Sequence, residues 1–311
     1  MDSLQIQVNP FVKWAGGKRQ ILSQIERYLP VNLLDGSIST YIEPFIGGGA
    51  VFFYLVSNFS ISKKIIIDIN PDLILLYKTI QKNAMSLVLE LRKVEKFYLK
   101  LSDDERRIFF YKIRSQFNEE RRKINYSVYD YSWVIQSSQF IFLNRTCFNG
   151  LYRVNSAGEF NVPFGSYKNP KIFDQENIER ASELLEDTII ICGDFSTCLD
   201  YTDDKTFLYF DPPYRPISGT SSFTSYTKED FDDDEQIRLA NLCREVSEKG
   251  AKFLLSNSDP KNINEKDNFF ENLYSGFQIK RINARRNISS NGYQRGFVDE
   301  LLIMNYSDYN Q

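Results

Sequence analysis

The sequence contains no histidine in its 311 residues. Without an imidazole, the chain cannot use Ser-His-Asp or Cys-His activation of a nucleophile, HNH-type nuclease chemistry or any histidine-containing metal motif. Any catalysis must therefore depend on carboxylates, backbone groups and aromatic stacking.

Cysteine is scarce and long hydrophobic runs are absent. The four cysteines show no C-x-x-C spacing, which predicts free, buried thiols in a reducing compartment and no metal site. No run reaches the roughly 18 apolar residues of a membrane helix, and the first residues lack a signal-peptide pattern. We therefore expect a cytoplasmic protein with no membrane segment. The cysteines are Cys147, Cys192, Cys198 and Cys243.

The net charge of −3 argues mildly against a nucleic-acid partner, but the charges are unevenly distributed. Residues 92–123 contain 11 Lys or Arg against 6 Asp or Glu, and residues 278–296 contain five basic residues and no acidic one. The first run is equally consistent with a solvated helix face and with phosphate contacts. The second run contains loop-forming residues, so it is the better candidate for contacts to a nucleic-acid backbone.

Alternating strand and helix patterns predict an α/β fold, and the 42% hydrophobic content is enough for a large core. Segment 144–170 has little periodicity and is either a long surface loop or a small recognition element. We expect one domain interrupted by an insertion. Strands are predicted near 39–43, 65–67, 188–192, 206–210, 251–256, 277–283 and 300–305, and helices near 19–28, 50–55, 72–123, 132–143, 232–247 and 266–274.

The tetrapeptide Asp211-Pro212-Pro213-Tyr214 follows the apolar run 207–210. A carboxylate, a rigid carbonyl and an aromatic face at one strand end suit an amine on a flat ring, such as adenine N6. The lone pair of that nitrogen is delocalised into the ring, so an enzyme that uses it must accept its protons as it pyramidalises. Alone, the tetrapeptide would be read as a strand ending in a proline turn.

Two further strand ends carry groups that suit a nucleoside. Gly47 and Gly49 match part of a dinucleotide fingerprint, but Phe52 stands at the third glycine position, which argues against a pyrophosphate cradle. Asp68 lies 19 residues after Gly49 at the end of the next strand, where an acid binds ribose hydroxyls in nucleoside-binding versions of this fold. Glycine turns and isolated acids are also ordinary loop features, so the prediction of a nucleoside site rests on the spacing between Gly49 and Asp68.

Asp194-Phe195 follows a third apolar strand and offers an amine acceptor and a ring for stacking. Gly17-Lys18 is not a phosphate loop, because Val12 stands where the first glycine belongs and Arg19 where a magnesium-binding hydroxyl belongs. A nucleoside without phosphates, beside an amine acceptor, indicates S-adenosylmethionine. Its methyl group is already activated, so no metal is expected.

Taken together, the motifs resemble those of the Dam-type family of DNA adenine-N6 methyltransferases. Seven segments match in order across most of the chain, and that order is far more specific than any single motif. The segments are 11–18, 43–50, Asp68, Leu143-Asn144-Arg145 with 148–153, 160–167, 193–195 and 211–214.

The resemblance implies a Rossmann-like S-adenosylmethionine-dependent sheet with helices on both faces. It also implies a catalytic and cofactor-binding domain formed by 8–77 and 185–311, and a mostly helical DNA-recognition insert at 78–184. The implied cofactor residues are Trp14, Lys18, Phe45, Gly47, Gly49, Asp68, Asp194 and Phe195. The implied catalytic residues, acting on a flipped adenine, are Asp211, Pro212, Pro213 and Tyr214. The implied contacts to a GATC site in double-stranded DNA are Lys13, Asn149, Leu151, Arg153, Pro163 and Tyr167.

Other functions are weighed against this one. Cytosine-C5 methylation is excluded, because it needs a nucleophilic cysteine, usually after proline, and no cysteine here follows one. Cytosine-N4 methylation stays as a minor alternative, since its signature usually begins with Ser where this chain has Asp211. A catalytically silent, sequence-specific DNA-binding protein is the alternative from another class. A cognate restriction endonuclease acting separately is a candidate partner, and the chain is expected to be a monomer or a weak dimer.

Overall fold

The computed structural model describes residues 8–215, 231–285 and 297–307. Within these ranges, seven strands form one sheet. The strands are β1 (Thr40–Glu43), β2 (Lys63–Asp68), β3 (Thr188–Cys192), β4 (Thr206–Phe210), β5 (Lys252–Ser258), β6 (Gln278–Arg285) and β7 (Phe297–Met304).

The strand order is β3-β2-β1-β4-β5-β7-β6. Strands β1 to β5 run parallel, whereas β7 is antiparallel to both β5 and β6. The predicted α/β sheet is confirmed. The α-helices of the described ranges are α1 (Leu22–Ile25), α2 (Val31–Leu34), α3 (Ala50–Asn58), α4 (Pro71–Tyr98), α5 (Asp103–Arg121), α6 (Tyr131–Thr146), α7 (Gln175–Leu185), α8 (Asp233–Glu248) and α9 (Phe269–Leu273).

The central strands are buried on both faces, because successive side chains point to opposite sides of a strand. Along β1 and β4, Tyr41 and Tyr209 belong to one buried cluster, whereas Ile42, Leu208 and Phe210 belong to the other. The first cluster packs against α3, α4, α6 and α7, and the second against α8 and α9. The sheet thus lies between two layers of helices, and its central strands are almost entirely apolar because both of their faces are covered.

The site is positioned by the point where the strand order reverses. From β1 the chain passes through α3 to β2, and from β4 it passes through α8 to β5, on the other side. Strands β1 and β4 are therefore neighbours whose crossovers diverge, and ligands of open α/β sheets bind at the carboxyl ends of such strands. The motifs after β1, β2, β3 and β4 all lie at this carboxyl edge.

The segment between β2 and β3 contains α4 to α7. The single helical stretch predicted over 72–123 divides in two, because Ser102 begins α5 with a capping box in which its hydroxyl and Glu105 bond each other's backbone amides. Asn83 also adopts a non-helical conformation and kinks α4. Helix α7 was not predicted. The cap at Ser102 therefore divides a region in which nearly all residues favour helix.

Two smaller expectations were wrong. The helix predicted over 19–28 is interrupted at Ile21 (φ −111°, ψ 5°), which separates a 3-10 turn (Lys18–Gln20) from α1; a second 3-10 turn (Glu26–Tyr28) follows α1. All four cysteines are free, as predicted, but only three are buried. Cys192 is exposed because it ends β3, which lies at the edge of the sheet.

Candidate active site at the carboxyl edge of the sheet

A glycine turn joins β1 to α3. Gly47 and Gly49 have positive φ (46° and 73°), and a Cβ atom there would lie 2.8 Å from Trp14 Cδ1 or 2.5 Å from the Tyr77 hydroxyl, respectively. The Gly47 amide donates to Asp68 Oδ2 (3.1 Å), and the Tyr77 hydroxyl donates to the Gly47 carbonyl (3.0 Å). The turn is thus tied to β2 and α4, and a larger residue at either glycine would displace an aromatic neighbour.

Asp68 ends β2, next to the glycine turn. Its Oδ1 accepts the Asn70 amide (2.9 Å), and burial raises the pKa of its carboxyl to about 6 although these amides favour the charged form. Each carboxylate oxygen can accept a second hydrogen bond. The Asn70 side-chain nitrogen is buried and has no hydrogen-bond partner among the described residues. This edge therefore retains acceptor and donor capacity for a polar ligand.

Asp194 and Phe195 follow β3, as predicted, but Arg238 of α8 engages both. The guanidinium donates to the two carboxylate oxygens of Asp194 (2.8 and 2.7 Å) and lies 4.0 Å from the centroid of the Phe195 ring. Phe45 stacks on that ring at a centroid distance of 5.2 Å. Hydrogen bonding by Arg238 is the largest cause that holds the pKa of Asp194 far below its usual range. Arg238 was not predicted, since a single arginine on a polar helix is unremarkable in sequence.

The tetrapeptide after β4 carries a buried ion pair. Lys18 Nζ lies 2.6 Å from Asp211 Oδ1, donates to the Gly16 carbonyl (2.7 Å) and lies 4.6 Å from the centroid of the Tyr214 ring. Burial raises the pKa of Asp211, and Lys18 opposes that rise. The resemblance assigns Lys18 to the cofactor, whereas in the structure its ammonium contacts the tetrapeptide.

Three side chains from β5, α8 and β7 also contact this proline turn. None stands in a recognisable sequence motif, so they could not be predicted. The contacts join Ser256 Oγ to Asp211 Oδ1 (3.1 Å), Gln236 Nε2 to the Pro213 carbonyl (3.2 Å) and the Tyr214 hydroxyl to Glu300 Oε2 (2.7 Å).

A second carboxyl group, that of Glu43, is buried at the end of β1. It accepts the Tyr41 hydroxyl (2.5 Å), and its pKa is raised well above normal, mainly by burial and further by the charge of Asp211. Glu43 therefore favours the protonated form, and Asp211 is the carboxyl that faces the Lys18 cation.

The sheet brings the predicted cofactor and catalytic groups to one edge. Strand β1 lies between β2 and β4, and neighbouring strands are about 4.8 Å apart, so β2, which ends at Asp68, and β4, which Asp211 follows, are separated by roughly 10 Å. The glycine turn lies between them. A nucleoside-sized ligand at Asp68 would therefore be adjacent to the proline turn.

Segment 144–170 folds into an irregular antiparallel pair. Isolated bridges join Cys147 to Phe164 and Val154 to Phe160, and the Phe148 amide donates to the Pro163 carbonyl (2.8 Å). Asn149 takes a left-handed conformation (φ 56°) and is exposed, in the short 3-10 turn Phe148–Gly150 that follows the Cys147–Phe164 bridge. The hairpin closes at residues 155–159, so this exposed turn lies at its open end.

The hairpin is joined to the N-terminal segment through Asn144, which belongs to one of the matching segments but was assigned no role from the sequence. Its side-chain oxygen accepts the Lys13 amide (2.7 Å), and its nitrogen donates to the carbonyls of Lys13 (2.9 Å) and Gly150 (3.0 Å). Lys13 Nζ lies 4.7 Å from the centroid of the Tyr167 ring. Trp14 stacks on Tyr152 of the hairpin at 5.7 Å. The structure thus brings Lys13 and Tyr167 together and links the glycine turn to the hairpin through Trp14.

The apolar residues of the hairpin divide into two groups. Tyr152 is buried and donates its hydroxyl to Asp72 (2.6 Å). Phe148 and Leu151 are 52% and 38% exposed. A local hydrophobic cluster therefore explains Tyr152 but not the other two, which are displayed beside the exposed Pro163.

Arg153 lies on the same hairpin, with Nε donating to Asn161 Oδ1 (2.8 Å). Seven of the eleven cations in the basic run 92–123 bond to partners within the chain: Arg106, Arg114 and Arg121 hold part-buried groups, whereas Lys93, Arg122 and Lys123 form exposed ion pairs. In the second run, Arg281 pairs with Asp259 and Glu271, whereas 286–296 lie outside the described residues.

No helix within the described ranges combines the length and apolarity needed to cross a membrane. Over the same ranges, no group of three or more acidic or cysteine side chains is arranged to hold a metal ion.

Comparison with known proteins identifies the family of this chain. Residues 14–288 match the family model of D12 class N6 adenine-specific DNA methyltransferases. The chain is 51% identical to the type II methyltransferase M.MjaIII of Methanocaldococcus jannaschii over 97% of this chain and 100% of that protein, and 37% identical to M1.LlaDCHI of Lactococcus lactis subsp. cremoris over 98% of both. It is 34% identical to the DNA adenine methylase of Escherichia coli K12 over 94% of both chains. This chain belongs to the D12 class of N6 adenine-specific DNA methyltransferases.

Proposed function

We propose that the enzyme takes the methyl group from S-adenosylmethionine, bound at the carboxyl ends of β1 to β3, and transfers it to an adenine flipped out of double-stranded DNA. The observation that carries this proposal is the position of the Asp211 carboxylate and the Tyr214 ring at the end of β4, next to the glycine turn of β1. When bound, the sulfonium supplies a methyl group that is already activated, so the chain itself has to position the acceptor.

The cofactor residues fit such a ligand. Asp68 keeps acceptor capacity for ribose hydroxyls, and the buried Asn70 side-chain nitrogen offers an unused donor beside it. Asp194 and Phe195 would serve as acceptor and stacking surface for an adenine after Arg238, which bonds both Asp194 oxygens and covers the ring, is displaced. Phe45 stacks on the Phe195 ring, and Trp14 lies against the glycine turn, since a Cβ at Gly47 would touch its ring.

The proline turn suits the chemistry of the acceptor nitrogen. Adenine N6 donates one N–H to Asp211 and the other to the Pro212 carbonyl, which localises its lone pair. Pro213 fixes the turn, and Tyr214 stacks on the base. S-adenosylmethionine would supply the methyl group as its C–S bond breaks, leaving a neutral thioether, and N6 would pass its extra proton to the Asp211 carboxylate and from there to solvent. Burial raises the pKa of the Asp211 carboxyl, and the ammonium of Lys18 opposes that rise and so favours the ionised form.

The DNA-recognition element is the insert between β2 and β3, with residues 78–184 as its extent and the hairpin as its base-reading part. A planar guanidinium such as that of Arg153 makes bidentate contacts to guanine O6 and N7, and the exposed turn that carries Asn149 and Leu151 is the part of the hairpin that would insert between base pairs. Pro163 lies beside that turn, and Lys13 with Tyr167 lies on its other side. We propose GATC as the target sequence.

The test uses a duplex with a single GATC site and radiolabelled S-adenosylmethionine. Methylated DNA is then cut with nucleases that are blocked by, or require, GATC methylation, and the modified base is identified by mass spectrometry. We expect N6-methyladenine within GATC. N4-methylcytosine, methylation of another sequence, or DNA binding without turnover would each reject a named part of the proposal.

A paired variant separates chemistry from folding. Asp211→Ala should abolish turnover and leave binding of S-adenosylhomocysteine largely intact, because its partner is the acceptor amine. Asp104→Ala removes an exposed carboxylate from the first turn of α5 and serves as the control. Comparable turnover in Asp211→Ala would contradict the assignment.

A further inference from the structure

Consecutive prolines leave the turn at 211–214 short of backbone donors, because proline has no N–H. Its groups must nevertheless be fixed to within a fraction of an ångström for the acceptor amine to be held in reacting geometry. In the structure, three side chains from other elements each contact a different member of the turn: Asp211, Pro213 and Tyr214.

The contact to Pro213 is part of a buried amide pair. Gln236 and Asn257 are both fully buried, and the Asn257 side-chain nitrogen donates to Gln236 Oε1 (3.2 Å). This bond leaves the Gln236 nitrogen facing the Pro213 carbonyl at 3.2 Å. Burying two amides is costly unless their hydrogen bonds are made, so the pair specifies one orientation of this peptide.

The contact to Asp211 comes from Ser256, whose hydroxyl lies between two groups. Ser256 Oγ is 3.1 Å from Asp211 Oδ1 and 3.0 Å from the hydroxyl of the buried Tyr209. Lys18 bonds the same carboxylate oxygen of Asp211. A serine and a lysine from opposite ends of the chain thus determine the rotation of the carboxylate.

The contact to Tyr214 comes from Glu300 in β7, a strand that pairs with β5 opposite Ser258. The tyrosine hydroxyl donates to Glu300 Oε2 at 2.7 Å. A hydrogen bond to a charged acceptor is shorter and stronger than a neutral one. It fixes the outer end of the ring on which the target base would stack.

We propose that Ser256, Gln236 and Glu300 are positioning residues for the methyl transfer, each holding one member of the turn. The inference rests on the proposed roles of Asp211 and Tyr214. Because these three residues act through the turn, their loss should lower kcat while the KM for DNA and the affinity for S-adenosylhomocysteine stay near their starting values.

The Glu300 contact is tested by a double-mutant cycle. Glu300→Leu and Tyr214→Phe each remove the same hydrogen bond, and each should lower kcat about tenfold. Since only one bond is shared, the double variant should be no slower than the slower single variant. Glu300→Gln keeps an acceptor and should recover part of the loss. Additive losses in the double variant would reject the contact as the cause.

The Gln236 contact is tested with Gln236→Leu, using Asn241→Ala on the exposed face of the same helix as its control. A duplex with 2-aminopurine at the target position reports the stacking of that base, and its fluorescence in the complex should change in Gln236→Leu but not in the control. Binding of S-adenosylhomocysteine, measured by calorimetry, shows that the variant is folded.

If the variant does not fold, Asn257→Asp provides the second measurement. This variant keeps one side-chain oxygen but lacks the amide nitrogen that donates to Gln236 Oε1. Gln236 then loses the bond that orients it, and kcat should fall. If the unaltered enzyme is active and the folded variants keep its kcat and fluorescence, the positioning roles are wrong, whereas the proposed function stands. Absence of methylation by the unaltered enzyme would instead overturn the proposed function.

Discussion

The ammonium of Lys18 holds the same relation to Asp211 and Tyr214 that the proposal assigns to the target amine. Nζ lies 2.6 Å from the Asp211 carboxylate and 4.6 Å from the centroid of the Tyr214 ring. Both an ammonium and an exocyclic amine donate N–H bonds to the carboxylate, and both a cation and a base lie over an aromatic face. Lys18 thus supplies a partner for the Asp211 carboxylate and the Tyr214 ring when no base is present.

Replacing Lys18 by Met should slow methylation and move the acidic limb of the pH-rate profile to higher pH. Burial raises the pKa of Asp211 and Lys18 lowers it, so without the cation the carboxyl stays protonated to a higher pH. The cost in unfolding free energy should be on the order of 1–3 kcal/mol, because the carboxyl can take up a proton instead of remaining an unpaired charge. Steady-state rates across pH and chemical denaturation measure the two effects.

The matched variant for this experiment is Glu300→Gln, which should move the same limb in the opposite direction. The charge of Glu300 raises the pKa of Asp211, so its removal lets the carboxyl ionise at lower pH. The other titratable groups that face Asp211 are Glu43, Tyr209 and Tyr214, and they are unchanged in both variants. Shifts of the same sign in the two variants would contradict Asp211 as the titrating group.

Binding of S-adenosylhomocysteine should weaken as the pH falls through about 6. Asp68 has a carboxyl pKa of about 6, and below this value the protonated group has fewer acceptor sites for ribose hydroxyls while it still bonds two backbone amides. Asp194 stays ionised throughout this range, because Arg238 and Ser196 hold its pKa low. Calorimetric titrations at several pH values should show a constant dissociation constant above about pH 7 and a rise below 6. A flat profile would remove Asp68 from the cofactor site.

The sequence alone was sufficient for the positions of the strands and for the residues that follow them, because apolar runs and glycine or proline turns are local signals. It was not sufficient for Ser256, Gln236, Glu300 or Arg238, which reach the site from β5, α8 and β7. Their contacts depend on which strands become neighbours, and no local pattern encodes that. The split between α4 and α5 was missed for a different reason, since a serine cap is a single residue within a strongly helical composition.

Arg238→Ala should bind S-adenosylhomocysteine several-fold more tightly than the unaltered enzyme. The guanidinium bonds both oxygens of Asp194 and covers the ring of Phe195, so an adenine that uses these groups has to displace it. Glu235 offers the displaced guanidinium another partner, as it already bonds Arg238 one helical turn away. Isothermal titration calorimetry measures the change in affinity.

Glu235→Ala is the diagnostic control for this competition. It removes the alternative partner and should weaken binding, whereas the variant that lacks both side chains should behave like Arg238→Ala, since there is then no guanidinium to displace. Weaker binding in Arg238→Ala would show that Arg238 orients Asp194 for the ligand instead of competing with it.

Arg153 is expected to determine sequence preference at one guanine. Arg153→Ala should cost about 1–3 kcal/mol on the preferred sequence and relax discrimination at that position alone. Arg153→Lys keeps the positive charge but lacks the planar fork, so it should retain affinity for DNA and still lose discrimination. The bond from Arg153 to Asn161 orients the guanidinium, and Asn161→Ala should therefore give a smaller loss of the same kind. Competition assays with duplexes altered at one base pair measure the preference.

A contact to phosphate would behave differently: Arg153→Ala would weaken binding to all sequences equally and reduce the salt dependence by about one counterion.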